Sequence, residues 1–208
     1  MAIRIDVWSD FVCPYCFAAS VSLKLLKEAY PQVEIHWRSF ELRPEGSPPI
    51  PPWYMQRIET ARPQFAAMMA QTYGIQIESG PFGITSRKAL IGAKYAESVM
   101  PDGGAAYHDT MLRAYWVEAQ DISDVSVLSQ IAASLGMDAD AFAAALDDPA
   151  LDQAVAADVH QAAILGLSGV PALLFEEQFL LSGAQPFDVL RHVVERIEAD
   201  GGVSLMRN

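Results

Sequence analysis

Two cysteines, Cys13 and Cys16, are the only ones in the 208-residue chain, and Pro14 and Tyr15 separate them. A strand-like run over residues 3–8 leads into the pair and a helix-like run over residues 17–30 leads out. A sulfur at a helix start faces unpaired backbone N–H groups and the positive end of the helix dipole. Both favour thiolate over thiol, and the thiolate is the nucleophile in disulfide exchange. Pro14 suits the first helical turn, where its missing N–H costs nothing. Cys13 reads as the attacking, exposed thiol and Cys16, one turn further in, as the buried resolving thiol. Two plainer readings compete. A CxxC is half of a zinc site, but no second CxxC follows, and His36, His108, His160 and His192 lack ligand spacing. No metal is assigned. The cysteines could also be purely structural, but a lone CxxC between strand and helix is a redox signature.

The elements that must hold this pair are legible in outline. Ile3, Ile5 and Val7 alternate with Arg4, Asp6 and Trp8, the strand period. Residues 33–40 alternate in the same way. Strand, helix and strand within about 40 residues form a βαβ unit with parallel strands and a right-handed crossover. A proline-rich stretch over residues 42–53 follows, extended and stiff. The strand signal then gives way to helix-like runs at 54–73 (interrupted at Pro63), 86–99, 105–118, 124–135 and 138–146. Ser123 and Asp138 are expected N-caps, and Gly136 lies just past a helix end. A long helix is expected over 149–165. Strands return at 172–175 and 179–182, joined by Glu176-Glu177-Gln178 without the usual Asn-Gly turn. An amphipathic helix over 186–199 closes the pattern. The predicted fold is α/β, with residues 1–45 plus 149–208 as the core domain and residues 46–148 as an inserted helical subdomain.

Composition excludes several partners. The net charge is −12, which argues against nucleic acid or an anionic membrane as the main partner. Half the residues are hydrophobic, enough for a sizeable core. Neither a secretory leader pattern nor a run of 18 apolar residues occurs, so a cytoplasmic protein is the expectation. In a reducing compartment a lone cysteine pair is more often catalytic than structural.

The βαβ–ββα order with CxxC at the first helix start resembles the thioredoxin fold with a large all-helical insertion. Val170-Pro171, within Ser168-Gly169-Val170-Pro171-Ala172, matches that fold's cis-proline, which opens the third strand and faces the cysteines. The insertion narrows the resemblance to the DsbA-like group, with the FrnE-like branch the nearest pattern. That group includes the 2-hydroxychromene-2-carboxylate isomerases and the kappa-class glutathione transferases. The resemblance is carried by residues 9–16, 40–44, 114–123, 169–171 and 182–186, and so covers nearly the whole chain. Three departures stand out. Tyr15 replaces the tryptophan usual between the cysteines. Thr85-Ser86 lacks a preceding asparagine found in many relatives. Val7 occupies the place of the buried acid of thioredoxins and periplasmic DsbA proteins. Asp10 is a loose alternative acid, equally readable as a turn carboxylate that binds backbone N–H groups.

The resemblance implies a thiol–disulfide oxidoreductase. Cys13 and Cys16 would be catalytic, with Pro14, Tyr15, Val170 and Pro171 contacting substrate. It implies no tightly bound cofactor, glutathione as a redox partner, a disulfide-bearing protein or small thiol as substrate, and a homodimer. The alternative is a glutathione-dependent isomerase or transferase for a small aromatic compound, with Trp53, Tyr54, Tyr115 and Trp116 as pocket aromatics. In those relatives serine typically replaces the first cysteine, so Cys13 favours redox chemistry. A redox-inert binding module on the same scaffold is the third class.

Overall fold

The protein is described here by a computed structural model over residues 2–100 and 103–199. The chain divides into two compact units, Met1–Phe40 with Val155–Asn208, and Glu41–Ala154. These divisions lie a few residues from the expected boundaries at 45/46 and 148/149, and the second falls inside a helix.

The first unit is built on a four-stranded sheet. Its strands are β1 (Ile3–Ser9), β2 (Val33–Ser39), β3 (Ala172–Phe175) and β4 (Phe179–Ser182), in the order β2-β1-β3-β4. β1 and β2 are parallel, with Ile5 opposite Ile35, as the helical crossover α1 (Pro14–Ala29) requires. β3 runs antiparallel to β1 and to β4. Ile3, Ile5 and Val7 point to one face and pack with Leu23 and Leu26 of α1. Leu190, Val194 and Ile197 of α8 (Phe187–Ala199) complete this core. Each such side chain contributes on the order of 2 kcal/mol by leaving water.

The alternate face of β1 is covered as well. Trp8 and Ala172 pack with Ala162 of α7 (Pro149–Ile164). The Trp8 indole N–H donates to the Asp158 carbonyl at 3.1 Å. Asp6, buried on this face, accepts from Arg4 at 2.8 Å and from Arg38 at 2.8 Å. Arg38 also reaches the Asp158 carboxylate at 3.4 Å, which accepts the Ser39 N–H at 2.9 Å. Burial works to raise the Asp6 carboxyl, and the two guanidiniums overcome it and hold it below the usual range.

The second unit contains α2 (Pro52–Tyr73), α3 (Arg87–Val99), α4 (Gly103–Trp116), α5 (Val125–Ser134) and α6 (Ala139–Ala145). α2 runs unbroken through Pro63, where an interruption was expected. Its face there is exposed, so the carbonyl that loses its amide partner can bind water. Asp138 caps α6 by accepting the Ala141 N–H at 2.8 Å. The cap of α5 is Asp124, not Ser123. Asp124 accepts the Ser126 N–H at 2.8 Å, while the Ser123 hydroxyl turns back to Asp121 at 2.6 Å. Among the described residues no helix is long and apolar enough to cross a membrane.

Candidate active site

Cys13 is the N-cap of α1, with extended backbone, and Pro14 occupies the first helical position. Its carbonyl accepts the Cys16 N–H at 3.1 Å and closes the first turn. The helix begins here because proline at that position is pre-set for helical φ and has no amide left unsatisfied. α1 has no side-chain cap. The cap position is occupied by a sulfur instead, and the turn's backbone N–H groups face it.

Both cysteines are free thiols here and buried. Cys16 is 1% exposed, as expected, but Cys13 is 4% exposed, which corrects the expectation of an open thiol. Its sulfur lies 3.5 Å from the Val170 carbonyl, a contact spanning 157 positions in the chain. Tyr15, beside it, is 53% exposed.

The two sulfurs differ sharply in proton affinity. Cys13 is lowered, first by a hydrogen bond from the Cys16 thiol, against burial, and then by the backbone N–H groups of Cys16 and Tyr15. Cys16 is pushed well up, first by burial and then by its bond and repulsion with Cys13. When the pair holds a single proton, that proton rests on Cys16 and the charge on Cys13.

The strand-to-helix turn contributes two further residues. Asp10 is fully buried, accepts the Val12 N–H at 3.2 Å through its carboxylate and the Cys13 N–H at 3.0 Å through its carbonyl. The turn-carboxylate reading of Asp10 describes this geometry. Its negative charge opposes charge on Cys13, while its backbone N–H and the Ser9 side chain act to ease Cys16 downward. Ser9 was read only as part of the loop; being a small polar residue at the end of the strand was its sole signal.

The Val170–Pro171 bond is cis. Pro171 is buried, and its carbonyl accepts the Gly183 N–H at 2.8 Å, which ties the loop to the end of β4. Loop residues 166–171 line an open cleft of about 300 Å³ together with Leu180, Ser182 and Gly183. Cys13, Cys16, Tyr15 and Val170 are thus gathered at one end of the sheet, with Pro171 directly after.

The four aromatics of the alternative reading separate into two pairs. Trp53 and Tyr54 are exposed on the first turn of α2, with ring centroids 5.6 Å apart. Tyr115 and Trp116 are buried at the end of α4, 5.0 Å apart, and the Tyr115 hydroxyl donates to the Pro81 carbonyl at 2.9 Å. Tyr115 and Trp116 are core side chains. Among the described residues no three His, Cys, Asp or Glu side chains are gathered so as to hold a metal ion.

Known proteins share this fold. The family described as DSBA-like thioredoxin domain matches residues 4–195. A probable DsbA oxidoreductase, SCO1869 from Streptomyces coelicolor, superposes with a TM-score of 0.81 at 25% identity, over 99% of this chain and 93% of its own. A 2-hydroxychromene-2-carboxylate isomerase superposes with a TM-score of 0.81 at 22% identity, over 97% and 100%. The cytosolic disulfide reductase DsbM from Pseudomonas aeruginosa, solved with glutathione, gives 0.71 at 21% identity, over 94% and 99%. The chain belongs to the DSBA-like thioredoxin-domain family.

Proposed function

We propose that this member of the DSBA-like family is a thiol–disulfide oxidoreductase that works through a mixed disulfide. The observation that carries the reading is the division of labour between the two sulfurs. Cys13, with its proton affinity lowered, sits at the N-cap position of a helix, and a buried thiol, Cys16, hydrogen-bonds to it. In the first step the Cys13 thiolate attacks one sulfur of a substrate disulfide and forms Cys13–S–S–R, releasing R′–S⁻. In the second, Cys16 loses its proton to the released thiolate or to water and attacks the Cys13 sulfur, expelling R–S⁻. Two electrons have then passed from the dithiol to the substrate. The Val170 backbone beside Pro171 would align an extended substrate segment, with Pro14 and Tyr15 on its other side.

Return to the dithiol consumes two glutathione molecules and yields glutathione disulfide. The DsbM structure holds glutathione on the same fold, which supports that choice of partner. No tightly bound cofactor takes part in this scheme, a cytoplasmic setting suits it, and a second copy of the chain would be its oligomeric partner. The substrate is a disulfide-bearing protein or small thiol compound.

Insulin reduction in a glutathione-coupled assay tests the reading. Wild type should be active, and Cys13→Ser and Cys16→Ser should each fall to background. A Cys16→Ser variant that keeps full turnover on a small aromatic substrate with glutathione, while insulin is untouched by either protein, would establish the isomerase or transferase alternative.

A further inference from the structure

Helix α1 works to make Cys13 more acidic, because its sulfur sits at the cap position, where the Cys16 thiol and the backbone N–H groups of Cys16 and Tyr15 favour its charge. One neighbour works in the opposite direction. Asp10 is fully buried, three residues before Cys13 and joined to it through the Cys13 N–H to Asp10 carbonyl bond of 3.0 Å. The carboxylate is fixed by the Val12 N–H, the residue between them, at 3.2 Å. No layer of water screens a buried charge in the same turn, so its Coulomb effect on the sulfur is larger than that of a surface acid.

We infer that Asp10 is a positioning residue whose buried negative charge opposes negative charge on the Cys13 sulfur, holding the disulfide less oxidising than the helix start alone would make it.

The groups facing Cys13 can be named element by element. From its own helix they are the Cys16 thiol and the N–H groups of Tyr15 and Cys16. From the loop before β3 it is the Val170 carbonyl at 3.5 Å. From the turn after β1 it is Asp10, whose carboxylate is the charged group among these. The same turn faces Cys16 with the Ser9 side chain and the Asp10 N–H, which favour charge there. The turn therefore acts on both sulfurs in opposite senses and narrows the gap between them. A narrower gap suits exchange in both directions, since either sulfur can then attack or leave.

The redox balance is explicit: protein disulfide plus two glutathione thiols gives protein dithiol plus glutathione disulfide. Any change that stabilises the Cys13 thiolate draws this equilibrium toward the dithiol. Asp10→Asn keeps an acceptor oxygen for the Val12 N–H and removes the charge. The experiment follows the Cys13 thiolate by absorbance near 240 nm against pH, and the equilibrium in glutathione buffers, for wild type, Asp10→Asn and Asp10→Ser.

Both variants should titrate about one pH unit lower, roughly tenfold more thiolate below the midpoint. The dithiol should be favoured by up to the same factor, about 30 mV for this two-electron couple. Unchanged titration in a folded Asp10→Asn protein overturns the inference, because the carboxyl would then carry no charge that Cys13 feels. A shift to higher pH overturns it as well, because Asp10 would then act through the turn's shape. This inference rests on the proposed dithiol chemistry only in its consequence. The titration needs no substrate, so a protein inactive toward insulin could still show the shift, and an active one could fail to.

Discussion

The sheet unit and the helical unit differ in how they hold some of their buried ionisable groups. In the sheet unit, Asp6 is held between Arg4 and Arg38, Asp158 lies against Arg38 and the Ser39 N–H, and Cys16 favours negative charge on Cys13. Charge is kept there and given partners. The helical unit does pair Arg87 with Glu41 and Asp152, each at 2.7 Å. Two of its buried polar side chains, Tyr107 and His108 on α4, are instead held neutral. Burial pushes the Tyr107 hydroxyl well up and takes His108 down to about 3. The lesson concerns how sites are recognised. A displaced proton affinity produced by burial alone reports packing. One produced by a named partner at a helix start reports chemistry.

The largest test of this contrast is activity. Cys13→Ser should abolish disulfide exchange, a loss of at least a hundredfold, because a serine hydroxyl is not ionised near pH 7 and cannot form the mixed disulfide. His108→Asn should leave insulin reduction within about twofold, the scale of a change that moves transition-state energy by under about 0.5 kcal/mol. Equal losses in both variants would dissolve the distinction between the two kinds of buried group.

Stability gives the next test. Asp6→Ala removes the buried acceptor shared by the partly exposed Arg4 and Arg38 and should destabilise by about 2 kcal/mol, measured by urea denaturation. Asp6→Asn should cost less, because its amide oxygen can still accept from one of them. If Asp6→Ala is silent, the network is surface decoration and the sheet unit does not depend on paired buried charge.

The third test is acid stability, and its sign follows from direction. His108 is lowered in the folded chain from 6.5 to about 3. Below pH 6.5 the unfolded chain binds a proton that the folded chain refuses. Its contribution is fully present above that value and is lost as pH falls toward 3, at up to about 1.4 kcal/mol per pH unit. Asp6, held low, loses stability only nearer the carboxylate range. Denaturation between pH 6.5 and 5 should therefore show a slope in wild type that His108→Asn lacks. A slope that survives the substitution would place the acid-sensitive group elsewhere.

How much of this was readable beforehand depends on how local each feature is. The strand–CxxC–helix turn and the βαβ–ββα order are short-range patterns, and they match the observed elements within a few residues. Features held by distant contacts were not readable. Cys13 is covered because the Val170 carbonyl, far along the chain, reaches its sulfur. The Glu176-Glu177 turn places two non-glycine residues at φ of 50° and 57°, conformations that neither side chain favours. It is held by Arg4, whose carbonyl accepts the Glu176 N–H at 2.9 Å and whose N–H donates to the Glu176 carboxylate at 2.5 Å. α2 continues through Pro63 because its exposed surface offers solvent to the orphaned carbonyl, a condition that a proline-break rule does not register. Asp10 was visible as an acid near the cysteines, but its complete burial, which gives its charge reach, was not.

The smallest expected effect separates the caps of the two units. In the helical unit α6 is closed by Asp138, whose carboxylate accepts the Ala141 N–H at 2.8 Å. In the sheet unit α1 begins at Cys13 with no side-chain cap bond, although its first amides still need acceptors. A thiol is a poor capping acceptor and a hydroxyl is a good one. Asp138→Ala should therefore lose about 1 kcal/mol of stability by urea denaturation. Cys13→Ser, measured on the reduced protein at a pH low enough that Cys13 is a neutral thiol, should lose nothing and gain up to a few tenths of a kcal/mol, because the serine oxygen accepts from the Tyr15 or Cys16 N–H. Stability then rises or holds in the variant whose activity is gone. That opposition is the mark of a cap position retained for the reactivity of its sulfur. A Cys13→Ser protein less stable than wild type by as much as Asp138→Ala would mean that the sulfur is a packing element, and that α1 starts where it does for structural reasons alone.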